Sequence, residues 1–343
     1  MGDLSAFPVR RDYPRLWSIL AGRLMVVTDL HGDWEAYRRA RDHFLALLRQ
    51  GEADALVFTG DLIHSEPEEG PDRSLDIVLD VIRLREQYGD RVIALLGNHE
   101  MPHIYSTTLA RGSTIYTPDF ETALSAGSAR DQVKDFLSDL PFYVRTTAGV
   151  TMTHAGASSV LANPQTARAL FQWNHHQLLQ QAELLLVDKD RDKLRDSFAH
   201  MNGMRSYAAL VAEHFGLSDP NNPIFDDPLR GFLVTLTPAY RILWAALFTR
   251  CEKEYGQRYP EILDASLAQL SQDFPPQRVL VTGHMAVLGG VETISGGRGG
   301  GSQFRLASAA HAYPRKAGRC LVFDASMPVQ NAKELLPQVK NLF

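Results

Sequence analysis

Cysteine is nearly missing from this chain of 343 residues, which holds two, Cys251 and Cys320. So distant a pair makes neither a metal-binding spacing nor a disulfide framework, and the expected compartment is the cytoplasm. Missing too is any apolar run near the roughly 20 residues that span a bilayer, so no membrane partner is expected. The opening MGDLSAFPVRRDYPRLWSIL lacks an apolar core followed by a cleavage site, and no signal peptide is expected. Positive charge is not in excess. The 35 Lys and Arg against 40 Asp and Glu leave a net charge of −5, which speaks against nucleic acid as a partner. Neither an internal repeat nor a low-complexity domain breaks the chain. Its length suffices to bury a sizeable core, and residues 1–343 are expected to form a single domain.

What the chain does contain is one layout used five times. Residues 24–33 read LMVVTDLHGD. The apolar and β-branched start is a buried strand; it stops at Asp29, and His31 follows on a turn that Gly32 lets bend sharply. Asp33 can then cap a helix over residues 34–50. ALVFTGD (55–61) ends in Gly-Asp61, VIALLGNHE (92–100) in Asn98-His99-Glu100, VTMTHAG (150–156) in a turn with His154, and RVLVTGH (278–284) in Gly-His284. Open α/β sheets place their sites beyond the carboxyl ends of such strands. The spacing predicts a second helix over 74–88 and a third over 131–141, stopped by Pro141. It also predicts a hairpin with strands at 142–147 and 150–153, and a further strand within 318–328 ending near Asp324. Strand–helix alternation indicates parallel βαβ units. Residues 103–130 carry no clear period and read as a loop over the site. Residues 165–270 read as helical, an insertion or cap rather than an independent domain. The glycine-rich GGVETISGGRGGG reads as a turn between strands.

The candidates Asp29, His31, Asp61, Asn98, His154 and His284 offer oxygen and imidazole but no thiolate. Such donors suit Mn, Fe, Zn, Co or Ni. Six are too many for one catalytic ion with an open position, but they suit two ions sharing a carboxylate. Two metals can clamp a phosphoryl displacement, and without an activated serine or cysteine motif the attack falls to metal-bound hydroxide.

The segments Asp29-Leu-His31-Gly-Asp33, Gly60-Asp61, Gly97-Asn98-His99-Glu100, His154-Ala-Gly156 and Gly283-His284 resemble the calcineurin-like metallophosphoesterases, in the family's order. The single terminal Gly-His resembles their phosphoprotein phosphatase branch and its bacterial relatives. The resemblance implies an α/β sandwich of two mixed sheets flanked by helices, here with the helical insertion. It implies Asp29 and His31 on one metal, Asp61 bridging, and Asn98, His154 and His284 on the other, with manganese the first expectation. It implies His99 as the acid for the leaving oxygen, since it adjoins a ligand and histidine titrates near neutrality. The substrate it implies is a phosphomonoester, in the manner of a Ser/Thr phosphatase. A nucleotide or dinucleoside polyphosphate is the alternative, and a catalytically silent metal-binding scaffold is the alternative of another class.

The family's usual Gly-Asp-x-x-Asp-Arg-Gly is here Gly60-Asp61-Leu-Ile-His64-Ser65-Glu66. Either His64 assists His99, or EPEEGP is an insertion and Asp72-Arg73 supplies the missing pair. Arg250 follows a Leu-Trp pair as a family arginine does and is the first candidate for the phosphate, ahead of Arg205 and Arg73. His175 and His176 are adjacent on a helix, cannot face one point, and read as structural or exposed. Phe171, Trp173, Trp244 and Phe248 read as core of the insert. Asp33, Glu100 and Asp324 read as caps or supports for ligating histidines.

Overall fold

The computed structural model describes residues 6–65, 72–187, 189–294 and 301–343. Two compact units divide the chain. The first takes Met1–Asn98, Leu140–Trp173 and Trp244–Phe343; the second takes His99–Asp139 and Asn174–Leu243.

The first unit is built on two mixed sheets. In chain order the strands are β1 (Val9–Tyr13), β2 (Leu16–Ile19), β3 (Arg23–Val27), β4 (Ala55–Phe58), β5 (Val92–Ala94), β6 (Tyr143–Thr146), β7 (Val150–Met152), β8 (Val279–Thr282), β9 (Val291–Ile294), β10 (Gln303–Leu306), β11 (Arg319–Asp324) and β12 (Val339–Asn341). One sheet has the order β1-β2-β6-β7-β8-β10-β9, the other β12-β11-β3-β4-β5. β3, β4 and β5 run parallel, whereas β11 is antiparallel to β3. Alternate side chains from both sheets, among them Leu24, Val26, Val57, Met152, Val281 and Phe304, share one apolar core. Each fully buried side chain of this kind stabilises the fold by roughly 1.5–3 kcal/mol. This core locks the two sheets face to face, so the sandwich that the motifs implied is the fold.

Helices α1 (Trp34–Gln50) and α2 (Ser74–Tyr88) follow β3 and β4 as their periodicity predicts. Asp33 caps α1 by accepting the Ala36 N–H at 3.0 Å. β6 and β7 form the expected antiparallel hairpin, with Gly149 at φ +85° in its turn. β9 and β10 pair antiparallel, so the reading of GGVETISGGRGGG as a turn is corrected at Val291–Ile294, which is strand because it pairs with Gln303–Leu306; residues 295–300 of that stretch lie outside the described residues. The N-terminal strands β1 and β2 carry no clear sequence signal. β1 is short and charged, a half-exposed edge that turns at Pro14.

The second unit is helical. Its elements include Met101–Tyr105, Thr117–Ala126, Arg130–Asp139, His175–Val187, Arg191–Met201, Tyr207–Phe215 and Asp227–Leu236. The reading of 103–130 as a loop is corrected here, since two helices and a small hairpin (Ala110–Arg111 with Thr114–Ile115) occupy it. These helices are too short to show a period, and packing makes them. Pro118 opens the second of them, and Phe120 and Leu124 are buried. Phe198 stacks on Phe232 at 4.4 Å, and the Tyr105 hydroxyl meets His175 Nδ1 at 2.6 Å, so His175 is structural as read. Helix Tyr259–Leu270, by contrast, belongs to the first unit, where the Tyr259 hydroxyl accepts the Ala157 N–H at 3.1 Å. Among the described residues no helix is long and apolar enough to cross a membrane.

Candidate metal centre

All six candidate ligands lie in the first unit, each just past the carboxyl end of a strand. Main-chain bonds hold the first two loops together before any side chain is considered. Leu30 and His31 both donate their N–H to the Asp61 carbonyl at 2.9 Å, Gly32 donates to Leu62, and Asp29 to Gly60. The turns are tight enough to put Asp29, His31, Asp61 and His284 at φ between +45° and +67°, where L residues are uncommon. Such strain clusters where a structure must aim side chains at one place.

Glycines supply the close approach. Gly60, at φ +98°, has no room for a side chain: a Cβ there would lie 2.7 Å from Gly97 Cα and 3.0 Å from His154 Nδ1. A Cβ on Gly283 would collide with Asp29 Oδ2. The ends of β3, β4, β5 and β8 can therefore converge.

Within the first unit the side chains meet in two groups. Asp61, His154 and His284 bring ligand atoms within 4.8 Å of one another, and Asp29, His31 and His311 do the same. In the first, His154 Nε2 lies 2.9 Å from Asn98 Oδ1, 3.1 Å from His284 Nδ1 and 3.4 Å from Asp61 Oδ2. Asp61 Oδ2 is also 3.5 Å from His31 Nε2, so this carboxylate stands between the groups.

The protons decide what these contacts mean. His154 Nδ1 is 3.0 Å from the Thr59 carbonyl, and His31 Nδ1 is 3.3 Å from the His64 carbonyl. A carbonyl only accepts, so each Nδ1 carries the proton. Burial, with the charge of His311 beside it, holds His31 down at about 3, and burial holds His154 down at about 4. Burial and then His154 push His284 well below its ordinary value. The rings are thus neutral near pH 7, and Nε2 of His31 and of His154 presents a lone pair. Those lone pairs face carboxylate and amide oxygens, which are also acceptors. Asp29 Oδ2 is buried with no hydrogen bond among the described residues. Burial alone would raise the Asp29 carboxyl, but His311, then His154 and His31, hold it below the usual range. Converging acceptors without protons are a poor arrangement for a protein alone and a good one for divalent cations. The residues present fit two metals.

The other candidates fall as follows. His99 opens the second unit, peptide-bonded to Asn98, its ring 5.1 Å edge-on to Tyr116. His64 is buried at φ +69°, with its N–H donated to Ser74 Oγ at 2.7 Å. Its carbonyl, which accepts from His31, contributes a support that its ring chemistry did not foretell. Residues 66–71 of the EPEEGP segment lie outside the described residues, but both flanks come back to one point. A Cβ on Gly32 would sit 3.1 Å from Ser65 N and would collide with Asp72 Oδ1. Asp72 accepts the Ser74 N–H at 2.9 Å, and Arg73 lies over the Trp34 ring and pairs with Asp76. Arg250 sits on an exposed turn after helix Pro238–Leu247, its N–H bonded to Glu254. Arg205 is in the second unit.

One reading of supporting residues changes and another is narrowed. The four aromatics Phe171, Trp173, Trp244 and Phe248, read as core of the insert, all lie in the first unit, and Phe248 packs there against the ring of candidate ligand His154 at 5.8 Å. Of the two readings of Asp324, cap or support for a histidine, the cap is the one found. It stands opposite Arg23, at the start of β3 rather than its site end, and binds its own turn at Ser326. Sequence reasoning also missed His311, whose Nδ1 is 3.3 Å from Asp29 Oδ1. The available signal was a histidine five residues beyond the buried run QFRL, the same layout as elsewhere in the chain.

A family model described as calcineurin-like phosphoesterase matches residues 22–224. Among curated proteins, the chain is similar to a symmetrical bis(5'-nucleosyl)-tetraphosphatase of Nitrosococcus oceani. The two are 30% identical over 120 residues, which are 34% of this chain and 39% of that one. The chain thus spans about two-fifths of the length of this curated relative. Among solved structures it is similar to a protein serine/threonine phosphatase from Saccharomyces cerevisiae, at 15% identity and TM-score 0.47, covering 91% of this chain and 77% of that one. It is also similar to the cold-active protein-tyrosine phosphatase of a psychrophilic Shewanella, at 15% identity and TM-score 0.42, covering 95% and 82%.

Proposed function

Since the chain belongs to the calcineurin-like phosphoesterase family, a family of metal-dependent phosphatases, we propose that it hydrolyses a phosphomonoester at a two-metal centre. The supporting observation is the convergence of unprotonated donors on Asp61. Asp29, His31 and Asp61 would hold one ion; Asp61, Asn98, His154 and His284 would hold the other. When bound, two divalent cations supply an acidified water and offset the charge spread over a phosphoryl group. Manganese is our first choice for both, with Fe, Zn, Co or Ni compatible with the donors.

The chain's own residues then carry defined tasks. The Thr59 and His64 carbonyls keep the protons of His154 and His31 on Nδ1, so that Nε2 stays available. His99 follows a ligand in the chain and is the residue we assign to protonate the leaving oxygen. Arg250 lies two residues beyond Phe248, which packs on His154, and we assign it to bind phosphate. His64 supports His31 through its backbone. The phosphate donor we favour is a phosphoprotein, and the two buried free cysteines support a cytoplasmic setting. A second reading, hydrolysis of a dinucleoside polyphosphate, is favoured by the tetraphosphatase relative alone.

The test is turnover of para-nitrophenyl phosphate with Mn²⁺, followed by phosphopeptides and diadenosine tetraphosphate in parallel. Faster turnover of phosphopeptides supports the first substrate class, and faster cleavage of the tetraphosphate supports the second. No turnover of any of them by metal-loaded protein leaves a scaffold and refutes the proposal.

A further inference from the structure

His311 is outside the six-ligand set, yet it is held against it with some care. The segment carrying it is sewn to the β3 turn along its length. The Thr28 N–H donates to Ser308 Oγ at 3.0 Å, and the Ser308 N–H returns to Thr28 Oγ1 at 3.2 Å. The Ala310 N–H donates to the Asp29 carbonyl at 3.3 Å, and Arg315 pairs with Asp33 at 2.6 Å. Between the last two ties stands the His311 ring, edge-on to His31 at 5.1 Å, its Nδ1 3.3 Å from Asp29 Oδ1. Its side chain is about a fifth exposed, at 22%, while Asp29 is fully buried, so the ring closes the solvent side of the pair.

The geometry points to His311 as a fourth protein donor of the first ion, beside Asp29, His31 and Asp61. This rests on the two-metal reading and refines it. With six ligands the centre is uneven, with three donors on one ion and four on the other, Asp61 counted twice. With His311 both ions have four. The first ion gains a second imidazole, which shifts its preference toward the borderline metals such as Zn and Fe. A histidine held by main-chain and Thr28–Ser308 bonds is also preorganised, so little ordering is needed when the ion arrives.

The experiment is metal binding, with turnover left aside. Metal-free protein is titrated with Mn²⁺ and separately with Zn²⁺ by calorimetry, and bound metal is counted after dialysis. For His311→Ala we expect one of two ions to bind about 10–100-fold more weakly, the size usual for loss of a supporting group or ligand, with the other unchanged. The loss is expected to be larger for Zn²⁺ than for Mn²⁺. His311→Asp, which restores a donor of another kind, should recover Mn²⁺ binding more than Zn²⁺ binding. Cooperative melting of the metal-free variants checks that they are folded, and the unchanged affinity for the other ion is the internal control. Two ions held by His311→Ala at wild-type affinity would overturn this inference and leave the two-metal reading standing. Wild-type protein that binds no divalent ion would overturn both.

Discussion

Gly60→Ala is the substitution whose effect can be worked most directly from the structure. Two costs arise. The residue sits at φ +98°, and an L side chain there loses roughly 1–2 kcal/mol. The new Cβ also meets Gly97 Cα and N at 2.7 Å, which is backbone and cannot swing away. Forcing that much extra volume between packed segments costs roughly 1–3 kcal/mol more. Gly51 separates the two costs. It is at φ +70° with open space around a would-be Cβ, so Gly51→Ala should lose only the first. Urea unfolding of the metal-free proteins by circular dichroism should therefore place Gly60→Ala below wild type by roughly 2–5 kcal/mol. Gly51→Ala should lie roughly 1–2 kcal/mol below wild type, with similar slopes. The added carbon also lies 3.0 Å from His154 Nδ1, which must keep its bond to Thr59. Affinity for the second ion should fall about tenfold or more. Equal stability of the two variants, or unchanged metal binding by Gly60→Ala, would refute the claim that close approach of β4 and β5 builds the site.

Asp61→Asn should lower bound metal at both positions and activity with it, since its Oδ2 lies between His31 and His154; two ions retained in the variant would contradict the bridge. His99→Asn should keep both metals and lose about 10²–10⁴-fold in kcat for alkyl phosphates, less for para-nitrophenyl phosphate, whose leaving group needs no proton. An equal loss on both substrates would remove His99 from the acid role. In the second unit, burial would raise the Glu121 carboxyl, but His103 and then Arg130 hold it down at about 2, against a usual 4.5. A depressed folded value gives stability that is present above pH 4.5 and fades as pH falls toward 2. Glu121→Gln should thus cost on the order of 3 kcal/mol near neutrality and progressively less below pH 4.5 in urea unfolding. A difference that does not change with pH would rule this out.

The strand ends were legible because each buried run stops at a residue with ligand chemistry. That is a local pattern, and the backbone geometry at Asp29, Asp61 and His284 follows it. α1 was legible from Asp33 and from a sustained apolar period. What escaped was tertiary. The helices at Met101–Tyr105 and Thr117–Ala126 are too short for a period to appear, and burial decides them. His311 was invisible because its partner Asp29 is 282 positions away and only the Thr28–Ser308 bonds bring them together. Phe248 read as insert core because an aromatic stripe says that a helix is packed, not which neighbour it packs on.

The bonds from Leu30 and His31 to the Asp61 carbonyl use main chain alone. The course of these two turns is thus held in part by bonds that would survive replacement of the Leu30, His31 and Asp61 side chains. Any ion held there would therefore find these main-chain bonds already made, and its departure would leave them intact. The same bonds separate inheritance of the shape from inheritance of the chemistry. A descendant could lose the Asp61 or His154 side chain in one step and keep these main-chain bonds while losing the donors.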